Sequence, residues 1–170
     1  MKALEGIKVL DLSRALAGPY CTMMLADMGA EVIKLEMPGT GDDSRSWGPP
    51  FVEGESAYFM SINRNKKSIT LNMKNEQSKE IVTKLIKQAD VLVENFRPGA
   101  MDRLGFGYEA VKEMNPGIIY SSISGFGQDG PYRMLPGFDQ VLQGMGGLMS
   151  ITGEPGGPPI KVGVAIADIA

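Results

Sequence analysis

The order of short apolar runs at the start of the chain restricts what it can fold into. Residues 7–12, Ile-Lys-Val-Leu-Asp-Leu, are mostly apolar and read as a buried strand. Gly18-Pro19 then opens a helix that runs to about Met28, since proline suits the first helical turn and Gly29 suits the residue just past its end. Residues 31–35 read as a second strand. Strand, helix and strand in that order make a β-α-β unit, which calls for a parallel sheet.

The alternation continues. Residues 37–56 read as one long loop rich in glycine and proline, a length that marks a functional or mobile segment. A strand is expected over 68–71. The clearest helix covers 75–88, with Ile81, Val82, Leu85 and Ile86 on one apolar face and lysines on the other. Strands over 91–93 and 118–122 flank short helical pieces over 101–114. A loop over 125–137, a helix over 138–149 and a further loop over 153–159 follow. The pattern predicts a doubly wound α/β domain. Residues 162–170 form an apolar run with no cap and no polar tail, so the sequence is expected to be a piece of a longer chain.

A β-α-β start with Glu36 closing the second strand invites a dinucleotide reading, in which the acid holds a ribose hydroxyl. The turn between strand and helix argues against it. It reads Ser13-Arg14-Ala15-Leu16-Ala17-Gly18-Pro19, with a single glycine, so the backbone cannot approach a pyrophosphate in the usual way. No nicotinamide or flavin is expected. The N–H groups at this helix start still suit an anion or an oxyanion.

Composition narrows the chemistry further. The chain has no histidine, which removes the commonest general base, the Ser-His and Cys-His pairs and most zinc sites. No metal is expected. Cys21 is the single cysteine, so no internal disulfide forms. Lys and Arg total 17 against 20 Asp and Glu, a net charge of −3, which argues against nucleic-acid and membrane-surface partners. The start lacks a signal-peptide pattern, and no run nears the ~20 apolar residues of a membrane span, so a cytoplasmic location is expected.

Two groups of residues carry chemistry. Arg64, Lys66 and Lys67 precede one strand and Lys74 follows it, while Asn95, Phe96, Arg97 and Arg103 follow the next. Cations at strand ends suit a polyphosphate beside the carboxyl edge of a parallel sheet. Asn95 offers hydrogen bonds to a polar ligand group and Phe96 a ring face to a base. The alternative is a solvated basic turn and a core phenylalanine. Asp168 lies in the apolar run 164–170, where an acid is costly to bury unless satisfied. It reads either as a catalytic carboxylate or as a helix cap or satisfied core aspartate. Asp139, Asp11 and Asp27 have weaker claims, Asp11 as a strand end and Asp27 as a solvent-facing residue.

Several segments resemble one family in order and spacing. They are Gly6-Ile7-Lys8-Val9-Leu10-Asp11-Leu12, Ala17-Gly18-Pro19, Gly29-Ala30-Glu31-Val32-Ile33-Lys34-Leu35-Glu36, Asn65-Lys66-Lys67-Ser68, Val93-Glu94-Asn95-Phe96-Arg97-Pro98-Gly99 and Gly137-Phe138-Asp139. Along its whole length the chain resembles the class III (CaiB/BaiF-type) CoA transferases, the group that includes carnitine CoA-transferase, formyl-CoA transferase and α-methylacyl-CoA racemase. The resemblance implies that residues 1–170 are the N-terminal portion of a large, Rossmann-like CoA-binding domain. The small domain and the C-terminal return of the chain would lie elsewhere. It implies an interlocked homodimer for the full-length protein, with acyl-CoA and a small carboxylic acid as substrates, and an isolated piece that is inactive.

By the same resemblance Asp168 is the nucleophile that forms covalent aspartyl intermediates. Backbone N–H groups near Ala17 stabilise the oxyanion. Contacts to CoA fall to Leu71, Lys74, Asn95, Phe96 and Arg103. The residue after Glu36 is often an arginine near the adenine in this family. Here it is Met37, and Arg64 or Lys66 is expected to compensate. The racemase branch uses a histidine where this chain has Phe138, and phenylalanine exchanges no proton, so CoA transfer is expected over racemisation. A non-catalytic CoA-binding protein is the remaining alternative.

Overall fold

A computed structural model describes residues 2–170, which divide into two compact units, one ending at Ile123 and the other spanning Ser124–Ala170. The first unit begins with the expected β-α-β: β1 (Lys8–Asp11), α1 (Ala17–Asp27) and β2 (Glu31–Glu36). A 3-10 turn (Asp43–Ser46), a small hairpin of β3 (Phe51–Val52) and β4 (Glu55–Ser56), and α2 (Ala57–Asn63) come next. Then follow β5 (Lys66–Thr70), α3 (Glu76–Ile86), β6 (Val91–Glu94), α4 (Ala100–Leu104), α5 (Tyr108–Met114) and β7 (Ile119–Ser122).

Five strands form one parallel sheet in the order β5-β2-β1-β6-β7. The chain starts in the middle, builds outward through β2 and β5, and returns to the other side of β1 with β6. That reversal makes the carboxyl ends of β1 and β6 the topological switch point, where sheets of this kind bind ligands. The expected α/β class, with a parallel sheet and flanking helices, is what the chain adopts.

Alternate residues of the strands feed opposite faces, as the pleat requires. Leu10, Leu12, Leu35 and Leu92 pack with Val82, Ile86, Met101, Phe106 and Val111 in one core cluster. Val9, Val32 and Val93 pack with Ala26 and Ala30 in the other. Both faces of the sheet are therefore covered, and the strands read as near-continuous apolar runs for that reason.

The side chain of Asn75 caps α3 by accepting the Gln77 N–H at 2.9 Å. Val82 and Ile86 are fully buried, but Ile81 is 40% exposed, so the apolar stripe is narrower than its spacing suggests. The segment 37–56 is not one featureless loop. It holds the 3-10 turn and the β3–β4 hairpin, and α2 begins directly after it. Ser56 starts that unanticipated helix: its Oγ accepts the Phe59 N–H at 3.1 Å and donates to the Trp47 carbonyl at 2.6 Å.

The second unit contains α6 (Asp139–Met145), a 3-10 turn (Leu148–Ser150) and α7 (Ile166–Ile169). The helix expected through residue 149 stops early because Gly147 adopts φ +81°, a left-handed conformation that glycine takes without cost. Among the described residues, no helix is long and apolar enough to cross a membrane.

Leu92 is fully buried in the larger cluster. Leu92→Ala is expected to cost about 3 kcal/mol, since the cavity is enclosed by both sheet and helices. Urea denaturation should show a lower midpoint at an unchanged slope.

Candidate functional site

The turn from β1 into α1 sits at the switch point and is held almost entirely by side chains. Asp11 ends β1 and is fully buried. One of its oxygens accepts the Ser13 N–H at 2.9 Å and the Ser13 hydroxyl, and the other accepts the Thr22 hydroxyl at 2.6 Å. Lys66 completes the group by donating to Asp11 at 3.0 Å, to the Pro19 carbonyl at 2.9 Å and to Asn63 Oδ1 at 2.8 Å. Burial pushes the Lys66 ammonium down, and the charge and hydrogen bond of Asp11 oppose that.

A second buried pair lies alongside. Lys34 and Asp42 meet at 2.8 Å with side chains 1% and 0% exposed. Lys34 also donates to the Ser13 carbonyl at 2.8 Å. Asp42 Oδ1 accepts the Ala15 N–H at 3.2 Å, the Ser44 N–H at 3.0 Å and the Ser44 hydroxyl at 2.7 Å. Burial works upward on the Asp42 carboxyl, but Lys34 and Ser44 outweigh it and hold it below the usual range. Asn95, just past β6, accepts the Arg14 N–H at 2.8 Å and donates to the Arg14 carbonyl at 2.7 Å. Every backbone polar group from the Ser13 N–H to the Ala15 N–H is thereby tied to a side chain.

Glu36 ends β2 and anchors the segment beyond it. Its carboxylate takes a fork from Arg45 at 2.6 and 2.8 Å, the Ser68 hydroxyl at 2.6 Å and the Asp42 N–H at 3.0 Å. Burial raises this carboxyl, and the donors together overcome it and bring it to about 2. A carboxylate so occupied has no capacity left for a ribose, which agrees with the missing dinucleotide fingerprint.

Helix α1 has no side-chain cap at its start, and Ala17 and Gly18 are at its first positions. Their N–H groups lie among the orphan donors of the helix start. The Asn95 side chain is close by: its Cγ is 3.7 Å from an ideal Cβ on Gly18. Phe96 and Leu71 pack, half-buried, against the larger core cluster. The Arg14 guanidinium covers a Phe96 face at 5.1 Å. Lys74 and Arg103 are exposed, and among the described residues neither forms an ion pair. Ala17, Asn95 and Phe96 are thus brought together, while Lys74 and Arg103 present their cations beyond β5 and β6.

One expectation needs correction. Arg64 and Lys66 enter β5 at its amino end, and Lys66 is level with Val32 in the register. Arg64 pairs with Asp27 at 2.5 Å, at the last turn of α1. It therefore sits at the opposite sheet edge from Asn95. Lys66 spends all three N–H bonds inside the fold. Neither stands where it could replace an arginine at Met37. Asp11 closes a strand as expected and in addition is the hub of the buried group above, and Asp27 faces solvent at the end of α1, where Arg64 and Asn65 bond to it.

In the second unit, Asp168 is half-buried on α7, and among the described residues its carboxylate accepts no hydrogen bond. Burial raises its pKa, and the charge of Asp139 raises it further. The segment leading into α7 is pinned from α6. Asp139 accepts the Ala167 N–H at 2.9 Å and the Gln143 amide at 2.7 Å, and Gln143 in turn accepts the Val162 N–H at 2.8 Å. No group of three or more His, Cys, Asp or Glu is placed to hold a metal among the described residues.

Comparison with known proteins gives consistent matches. The sequence model for CoA-transferase family III matches residues 4–170. Mouse succinyl-CoA:glutarate CoA-transferase is 54% identical over 170 residues, covering 100% of this chain and 39% of the relative. Acetyl-CoA:oxalate CoA-transferase of Acetobacter aceti is 51% identical over 159 residues, covering 94% of this chain and 41% of the relative. The crystal structure of a CaiB/BaiF family protein from Brucella suis superimposes with a TM-score of 0.94 at 51% identity, over 99% of this chain and 45% of that one. The chain spans about two fifths of the length of the curated relatives it matches.

Two outcomes follow from the geometry. An ideal Cβ on Gly18 overlaps the Ser13 Cβ and Oγ, so Gly18→Ala should destabilise the fold by about 2 kcal/mol, read by thermal melting. Glu36 has a folded pKa near 2, below its unfolded value. The stability it adds is complete above the unfolded value of about 4.3 and is lost as pH falls toward 2. Arg45→Ala should remove about 2 kcal/mol at pH 7 and move acid unfolding to higher pH, followed by circular dichroism.

Proposed function

Because the chain belongs to CoA-transferase family III, we propose that it is the N-terminal portion of the large CoA-binding domain of a transferase that moves CoA from an acyl-CoA to a small dicarboxylic acid. The family match from residue 4 to residue 170 carries this reading. The acceptor class rests on the glutarate and oxalate in the relatives' names, both dicarboxylates. The longer protein works as an interlocked homodimer, with acyl-CoA as its only cofactor-like substrate.

Asp168 is the nucleophile. Its carboxylate attacks the donor thioester carbonyl, the C–S bond breaks, and CoA leaves as a thiolate from an aspartyl acyl anhydride. The thiolate attacks the aspartyl carbonyl, the anhydride C–O bond breaks, and the donor acid leaves as a carboxylate. The acceptor carboxylate then attacks the aspartyl-CoA thioester and expels the thiolate. The thiolate takes the acceptor's acyl group and restores the Asp168 carboxylate. Each step exchanges one acyl bond for another, and no net proton or electron moves. A carboxylate free of hydrogen bonds keeps its lone pairs for this attack, which supports Asp168 over Asp11 and Glu36, whose oxygens all accept hydrogen bonds.

The Ala17 N–H stabilises the oxyanion of each tetrahedral step. Asn95 and Phe96 lie along the nucleotide and pantetheine, Leu71 adds an apolar contact, and Lys74 and Arg103 face phosphates. Their position at or just beyond the carboxyl ends of β5 and β6 supports this assignment.

Full-length protein incubated with acyl-CoA donors and hydroxylamine should yield a hydroxamate at Asp168, located by peptide mass spectrometry. Asp168→Asn should abolish both label and turnover. Since only the ionised form attacks and the pKa is raised, kcat/KM should fall with acidification around a midpoint above the ordinary aspartate value of about 3.9. Protein that binds CoA but leaves Asp168 unmodified with every donor would refute the covalent reading.

A further inference from the structure

Ala15 is held at φ +67°, a left-handed conformation that residues with a Cβ resist. Such strain persists only where the surroundings over-determine it. Here two buried residues do so from outside the turn. Lys34 on β2 fixes the Ser13 carbonyl, and Asp42 in the segment after β2 fixes the Ala15 N–H. The kink they enforce sets the direction in which the Leu16–Ala17–Gly18 backbone enters α1.

We propose that Lys34 and Asp42 are positioning residues that aim the Ala17 N–H at the oxyanion by holding Ala15 left-handed. The inference rests on the transferase reading of this turn. Neither residue touches substrate. Asp42 belongs to the segment that Glu36 and Arg45 anchor, and its own N–H bonds to Glu36. The turn is thus braced by the start of the long connection that follows β2. An ion pair this deeply buried is a poor source of net stability against a well-packed apolar pair, so its use here is to specify geometry.

Substitution of both partners together leaves no stranded buried charge. In the full-length enzyme, Lys34→Met with Asp42→Ala should lower kcat at least tenfold and leave the acyl-CoA KM within about twofold, because binding is uniform and only the transition state loses its donor. Lys34→Met with Asp42→Asn keeps an acceptor for the Ala15 N–H and removes only the hold on Ser13, so kcat should fall about threefold. Adding Ala15→Gly to the first pair should recover part of the lost kcat, since glycine takes the left-handed conformation unaided. A crystal structure of the first pair should show residues 14–17 displaced.

Wild-type kcat in both folded variants, a loss confined to KM, or an undisplaced turn would each overturn the proposal. If the first pair does not fold, the second pair, Lys34→Met with the nearly isosteric Asp42→Asn, decides by the same kcat and KM measurements and by its own structure. A wild-type enzyme without transferase activity would refute the transferase reading instead. The position of residues 14–17 in the variant crystals would still judge whether Lys34 and Asp42 set the turn.

Discussion

Two lysine–aspartate pairs buried beneath the β1–α1 turn organise the part of the fold where a ligand would bind. Taking four charges out of water is expensive, and the expense is offset only because each charge also meets hydrogen-bonding partners. Asp11 receives four donors and Lys66 places all three of its protons. The bonds reach the turn at Ser13, the first two turns of α1 at Pro19 and Thr22, and Asn63 at the end of α2. Remove Asp11 or Lys66 and the other faces an uncompensated buried charge. The turn therefore has one geometry rather than several, and a backbone N–H at its end points in one direction.

Much of the sheet was legible in the sequence because a parallel strand covered on both faces must be apolar along its length. Residues 9, 10, 12, 32, 35, 92 and 93 announce themselves that way, and Gly29 and Asn75 mark helix ends by their own conformational chemistry. The pairing of Lys66 with Asp11 was not legible. The partners are 55 positions apart, and nothing in local spacing connects them. A signal did exist at Lys34: a lysine inside an otherwise buried strand demands an anion. Finding which anion required the fold, since Asp42 sits in a segment whose glycines and prolines read only as loop. The same composition hid α2, although Ser56 is a sound cap residue. Arg64 and Lys66 precede their strand as read, but in a parallel sheet residues before and after a strand occupy opposite edges, so they do not join the cations beyond the carboxyl ends.

The supply of hydrogen-bond donors separates the carboxylates of this chain by environment. Asp11, Glu36 and Asp42 are buried more completely than Asp168, and for Glu36 and Asp42 desolvation works to raise the pKa. Glu36 and Asp42 are instead held low, because arginine, lysine, hydroxyl and backbone donors stabilise the charged form. Such groups are fixed in place and poor nucleophiles, since their lone pairs are occupied. Asp168 is raised by burial and by Asp139, and it accepts no hydrogen bond among the described residues. Its position is set through the backbone instead, by Asp139 and Gln143 holding the segment that leads into α7. Those bonds fix the segment that carries this carboxylate and leave its oxygens unbonded among the described residues. Burial alone does not rank these carboxylates, because the donors that meet Glu36 and Asp42 reverse its effect on them, while Asp168 meets none among the described residues.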